Sequence, residues 1–232
     1  YFNMYLYKYG GVDQATGLPL FYHQVTEAEA NAGLYPNYSV GESFTTTDYS
    51  LASRYEMGSA LPNWIGGFST TLRYKNFDLY GALAYQVGGK FLSTEYANNL
   101  YVSENPGSAI SAELIGNTWT PENTSAKFPM VMYGNTYGNG STIGSWMYTD
   151  MAMFSASYLS FKNITIGYTF PETWLSKYKI GRLRIFASGD NLFMVTSHSG
   201  IDPRQSLVGG WEVGAFSYPT MRTFSGGINL EF

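Results

Sequence analysis

The sequence predicts an all-β chain whose antiparallel strands belong to a membrane-spanning barrel, with long loops on one side of the membrane and short turns on the other. Three observations point there. The strong hydrophobic signal alternates with period two, over segments of about ten residues. The connections between those segments alternate between long and short. Aromatic residues make up 18% of the 232 residues and charged residues only 13%, about half the usual ~25% for soluble proteins.

The clearest strands are at 64–74 and 77–88. In the first, Trp64, Phe68, Leu72 and Tyr74 alternate with Gly67, Ser69, Thr71 and Arg73. Lys75-Asn76 makes a tight turn. In the second, Phe77, Leu79, Leu83, Tyr85 and Val87 alternate with Asp78, Tyr80, Ala84 and Gln86. Two strands joined by a two-residue turn form a hairpin. Their length suits a tilted strand crossing hydrocarbon, ~9–11 residues.

Residues 157–170 form the next strand. Ile164, Ile166, Tyr168 and Phe170 share one face, but Leu159 and Phe161 are out of phase with them, so a bulge is expected near Lys162. At 182–193, Leu183, Ile185 and Ala187 oppose Arg182, Arg184, Ser188 and Asp190. At 221–232, Phe224, Ile228, Leu230 and Phe232 oppose Thr223, Ser225, Gly227, Asn229 and Glu231. Ile228, Leu230 and Phe232 are expected to act as the C-terminal signal for barrel assembly. Residues 1–9 read as a sixth strand, with Phe2, Met4 and Leu6 on one face. Short helices are expected at 25–33 and 173–179.

The long connections, 10–62, 89–155 and 194–220, are assigned to the outside. The short ones, at 75–76 and 171–181, are assigned to the periplasm. Tyr74, Phe77, Tyr168, Phe170, Trp174 and Phe232 then gather at the short-turn ends, where amphipathic rings favour the interface. In a bilayer every backbone polar group must be paired, so a barrel must close. Six strands leave two open edges, so the missing strands are expected in another chain or in an upstream part of a longer one, with oligomerised copies as a further way to close.

Composition excludes several classes. There are no cysteines, hence no disulfide framework and no thiolate metal site. A net charge of −4 without a Lys/Arg cluster argues against nucleic acid. No apolar stretch approaches the ~20 residues of a membrane helix. The mean hydropathy of −0.16 is no obstacle to a barrel, whose polar interior dilutes the average.

No catalytic residue, metal site or cofactor is expected. The two histidines, His23 and His198, both fall in outside loops, and no metal-ligand spacing occurs. Asp202 and Arg204 read as a turn-stabilising pair with a bidentate option. The candidate substrate contacts are loop aromatics, because rings stack on sugar faces and carry polar edges. These are Trp119, Tyr133, Tyr137, Trp146, Trp211 and Tyr218, with Tyr148 beside them. The alternative for each is packing within the loops or against a lid. Arg73, Asp78, Arg182, Arg184 and Asp190 are expected to face the lumen as a polar wall.

The run Ser157-Tyr158-Leu159-Ser160-Phe161-Lys162-Asn163-Ile164-Thr165-Ile166-Gly167-Tyr168-Thr169-Phe170-Pro171 resembles a signature of the SusC/RagA family of TonB-dependent transporters. So do Leu183-Arg184-Ile185-Phe186-Ala187-Ser188-Gly189-Asp190-Asn191-Leu192-Phe193, Gly200-Ile201-Asp202-Pro203, and Tyr218-Pro219-Thr220-Met221-Arg222-Thr223-Phe224-Ser225-Gly226-Gly227-Ile228-Asn229. Upstream, Gly11 to Gly17 and Pro62 to Phe68 are similar as well. Asp190 departs from the family's frequent Gln, and Thr220 from its frequent Pro.

The resemblance implies a C-terminal portion of a barrel of roughly 22 strands, lying in the bacterial outer membrane as a multi-pass protein in contact with lipid. It implies a plug and the rest of the barrel in the same polypeptide, and energy from TonB through an N-terminal part absent here. It also implies a SusD-like surface lipoprotein as partner, and import of glycans or oligopeptides. The alternative function is a structural or adhesive outer-membrane barrel that binds an external ligand through its loops.

Overall fold

The computed structural model describes residues 3–102, 110–132, 137, 144–198, 200, 202–205, 212–213 and 220–232. In chain order its strands are β1 (Asn3–Tyr7), β2 (Tyr9–Val12), β3 (Pro19–Gln24), β4 (Ser43–Thr46), β5 (Arg54–Ser59), β6 (Trp64–Tyr74), β7 (Phe77–Val87), β8 (Lys90–Ser93), β9 (Met153–Ser155), β10 (Tyr158–Thr169), β11 (Arg182–Thr196), β12 (Glu212–Val213) and β13 (Thr223–Glu231). Short helices are α1 (Glu27–Asn31), α2 (Thr94–Asn99) and α3 (Glu172–Leu175). The chain divides into two compact units. The first comprises Tyr1–Ala60, Phe91–Phe154 and Gly209–Phe216, the second Leu61–Lys90, Ser155–Val208 and Ser217–Phe232.

The second unit is a five-stranded sheet in the order β13-β11-β10-β7-β6. All its pairings are antiparallel, as expected for a segment of barrel wall, and the two outer strands leave it open. β6 and β7 are 11 residues each. At a rise of ~3.4 Å and a tilt of about 45° such a strand covers roughly 26 Å, close to the ~25 Å apolar band of outer-membrane barrels. The hairpin closes through Lys75, whose φ of 52° is left-handed, and Tyr74 faces Phe77.

The bulge falls where the phase of the apolar residues requires it. Phe161 pairs with Leu83 and Asn163 with Ala82, so Lys162 is the extra residue. This restores phase between Leu159 and Phe161 on one side and Ile164, Ile166 and Tyr168 on the other. β11 compensates with Asn191 in a left-handed conformation (φ 51°), and Phe193 faces Phe161 while Asp190 faces Asn163. The two faces therefore stay distinct across all five strands. The apolar face is exposed: Leu72, Ile166, Phe224 and Ile228 each show more than half of their surface. Soluble monomers rarely expose a contiguous apolar patch above a few hundred Å².

At the short-turn end the rings form a chain. Phe77 lies 4.7 Å from Tyr168, Tyr168 5.0 Å from Phe170, and Phe170 6.4 Å from Trp174. The helix expected at 173–179 is α3 followed by a 3₁₀ turn at Ser176–Tyr178.

The first unit is not a set of bare loops. β2-β3-β4 form a sheet, and α1 begins with a capping box between Thr26 and Glu29. Its core gathers Phe21, Leu92, Leu100, Leu114, Phe128, Tyr137, Trp146 and Met147. Of the sixth strand expected at 1–9, the described part is a strand over Asn3–Tyr7. Asn3–Tyr7 pairs with Arg54–Ser59 in a separate two-stranded sheet, and Tyr9 already belongs to β2. Alternation shows which face a strand buries, but not which strand it joins.

Candidate functional site

The polar face of the five-stranded sheet carries the candidate site. Period two places Arg73, Asp78, Gly167, Phe186 and Gly227 side by side across β6, β7, β10, β11 and β13. One row further from the short turns stand Thr71, Tyr80, Thr165, Ser188 and Ser225, a hydroxyl on every strand. The next row holds Ser69, Ala82, Asn163, Asp190 and Thr223.

The Arg184 guanidinium on β11 reaches over β10 to Asp78 on β7. Nε donates to Oδ1 at 3.0 Å and Nη2 to Oδ2 at 2.5 Å. The bidentate geometry is the strong form of this pair. It needs Gly167 beneath it, because a Cβ there would lie 2.5 and 2.6 Å from the two Asp78 oxygens. The same guanidinium sits 5.3 Å from the centre of the Phe186 ring, and that ring covers Gly227, where no side chain stands. One arginine thus ties β11 to β7 across β10, and the ring beside it covers the backbone of β13.

A second network lies in the rows above. Asn163 Nδ2 donates to Ser188 Oγ at 3.0 Å and to Asp190 Oδ1 at 2.7 Å. Thr165 Oγ1 bonds Asn163 Oδ1 at 2.9 Å and Ser188 Oγ at 3.1 Å. Asp190 is therefore held by an amide, and among the described residues no cation pairs with it. Arg73 and Arg182 are exposed, and with Lys75, Asp78, Glu172 and Arg184 they line a cleft of about 840 Å³ at the short-turn end. All five polar residues expected on one face do lie on one face, and Asp78 and Arg184 pair directly.

The loop aromatics separate. Tyr137 and Trp146 are almost fully buried in the core of the first unit; they pack rather than present a surface. Burial pushes the Tyr137 phenol up to about 12. Trp119 is half-buried, stacks over Gly17 and donates from its indole nitrogen to the Gln14 carbonyl at 3.1 Å. Tyr148 is exposed, and its hydroxyl donates to Asn98 Oδ1 at 2.6 Å. Tyr133, Trp211 and Tyr218 lie outside the described residues.

Asp202 and Arg204 make the turn they were expected to make. Arg204 donates from its backbone N at 3.0 Å and from Nε at 2.8 Å to Asp202 Oδ1, and Nη2 reaches Oδ2. Burial alone would raise the Asp202 carboxyl, but the Arg204 hydrogen bonds outweigh it and hold it below the usual carboxylate range.

Two groups in the first unit escaped the sequence reading. Asp150, isolated in sequence, accepts from the Tyr9 backbone N at 2.8 Å. His23 is buried against the Tyr35 and Phe44 rings, with Nδ1 2.5 Å from the Leu51 carbonyl and Nε2 3.3 Å from Glu29 Oε1. Among the described residues no group of three or more His, Cys, Asp or Glu is placed to hold a metal.

No family model matches the chain. TonB-dependent receptor P3 of Formosa agariphila is 30% identical over 99% of the chain and 22% of its own length. TonB-dependent receptor SusC of Bacteroides thetaiotaomicron is 33% identical over 36% of the chain and 8% of its own length. The chain thus spans about a fifth of the length of the curated relative that it matches from end to end. Among solved structures, the RagAB peptide transporter superposes on 99% of the chain and 23% of its own chain, with a TM-score of 0.72 and 27% identity. RagAB in its closed-closed state gives 0.70 and 27%.

Proposed function

We propose that this chain, SusC/RagA-like in both sequence and fold, is a wall segment of a TonB-dependent outer-membrane importer. The whole protein would carry glycans or oligopeptides inward with a SusD-like lipoprotein at its outer mouth, driven through TonB and without bond chemistry of its own. The observation that carries this reading is the two-faced wall. Apolar side chains face one way on every strand, and a bonded polar surface faces the other. Such a wall suits hydrocarbon outside and water or cargo inside.

On this reading Arg184, Asp78, Asn163, Thr165, Ser188 and Asp190 line the passage. Trp119 and Tyr148, together with Tyr133, Trp211 and Tyr218, remain the proposed cargo contacts of the loops. Ile228, Leu230 and Phe232 serve barrel assembly. The test is uptake. Cells lacking the complete gene are given labelled oligopeptides and labelled oligosaccharides, with and without the restored gene. Restored accumulation of one class that collapses when TonB is removed supports the reading. Accumulation that ignores the gene overturns it.

A further inference from the structure

We propose that the apolar face carries a slot for a lipid acyl chain, centred on Gly81. The proposal rests on the membrane-wall reading above and adds a specific site to it. Gly81 on β7 stands between Thr70 on β6 and Ile164 on β10. A Cβ built at Gly81 would meet only the Thr70 methyl, at 4.0 Å, so the floor of the dent is open. Phe68, Leu79, Leu83 and Phe161 form its walls, and its volume is about 180 Å³.

Three arguments select the occupant. The walls are hydrocarbon, and the Thr70 hydroxyl is the lone polar side-chain group among the lining residues. An apolar cavity of ~150 Å³ stays dry and accepts a benzene-sized molecule, so this one suits a run of about six carbons. Depth then separates tail from headgroup. Gly81 lies four residues beyond Phe77, the ring that contacts Tyr168 at the short-turn end. Four residues at ~3.4 Å, tilted by about 45°, put it roughly 10 Å inside the aromatic interface, beyond the reach of a headgroup. Phe68, more than half exposed, stands proud beside a floor without a side chain. That is a groove against which one chain settles, in contrast to a flat surface that every chain meets equally.

The full-length receptor, reconstituted in phosphatidylethanolamine nanodiscs whose lipid carries a diazirine at mid-chain, reads this directly. After photolysis, adducts on the peptides holding Thr70, Phe161 and Ile164 should exceed those on the peptide holding Phe224 and Ile228 by about threefold. Gly81→Leu should erase the excess and leave labelling of Phe224 and Ile228 unchanged. Thr70→Leu fills the slot from the other strand and does the same if the first variant fails to assemble. Even labelling along the whole face, unchanged by either variant, overturns the slot while leaving the wall reading intact. Cross-links between receptor copies through Thr70→Cys, with lipid labelling absent there, assign the dent to a second copy and also overturn it. Absence of lipid adducts at every outward position contradicts the membrane wall itself.

Discussion

Arg184 and Asp78 sit on strands that are not neighbours, yet they form a bidentate pair across the bare backbone of Gly167. The intervening residue must lack a side chain for the arginine to lie flat. Sequence composition, strand order and charge are coupled at this one point of the wall.

Gly167→Ala should push the pair apart and destabilise the assembled receptor by about 1–3 kcal/mol, the usual cost of overpacking. In an Asp78→Asn, Arg184→Gln background the same substitution should cost much less, because the coupled partners are gone. Urea titration of the folded, heat-modifiable form measures both. Equal penalties in the two backgrounds would show that Gly167 serves something else.

Trp146→Ala should behave as a core truncation, costing about 3–5 kcal/mol. Trp119→Ala removes one indole hydrogen bond and its cover over Gly17, and should cost about 1–2 kcal/mol. Unfolding of the two variants decides the matter. A Trp146 variant of unchanged stability with impaired uptake would return that ring to the list of cargo contacts.

Asp202 provides a pH dependence. Its folded carboxyl lies below its ordinary value, so its contribution is fully present above the unfolded pKa of about 3.9. That contribution is lost as pH falls through the lower folded value. Protection of the Arg204 backbone N–H against hydrogen exchange, measured relative to its intrinsic rate at each pH, should hold at about pH 5–8 and fall in that acidic window. Asp202→Ala, which removes the acceptor, should abolish that protection at all pH values.

Phe68→Arg places a charge on the apolar face near the middle of β6, at an expected cost of ~2–4 kcal/mol in lipid. Ser69→Arg places the same charge on the polar face. The assembled fraction in the outer membrane should fall severalfold for the first and change little for the second.

The wall strands were legible because side-chain alternation is set by the pleat itself. Even the bulge at Lys162 could be read, since Leu159 and Phe161 fall out of phase with Ile164 and Ile166. The partner of residues 3–7 was not legible, because β5 is only six residues long and carries no clear period. The burial of Tyr137 and Trp146 was hidden for a related reason. Their segment lacks regular periodicity, and its core forms through contacts far apart in sequence, among them Phe21 and Phe128. The Asp78–Arg184 pair required knowing that β10 lies between β7 and β11, which spacing alone does not give.

The most direct measurement is a nitroxide scan through residues 66–73 of β6 in the lipid-reconstituted receptor. Oxygen collisions should peak at Gly66, Phe68, Thr70 and Leu72, while collisions with a water-soluble nickel chelate peak at Gly67, Ser69, Thr71 and Arg73, giving two curves of period two in opposite phase. Curves in phase, or low collision rates for both reagents at the even positions, would place those side chains in a water-soluble core and contradict the account.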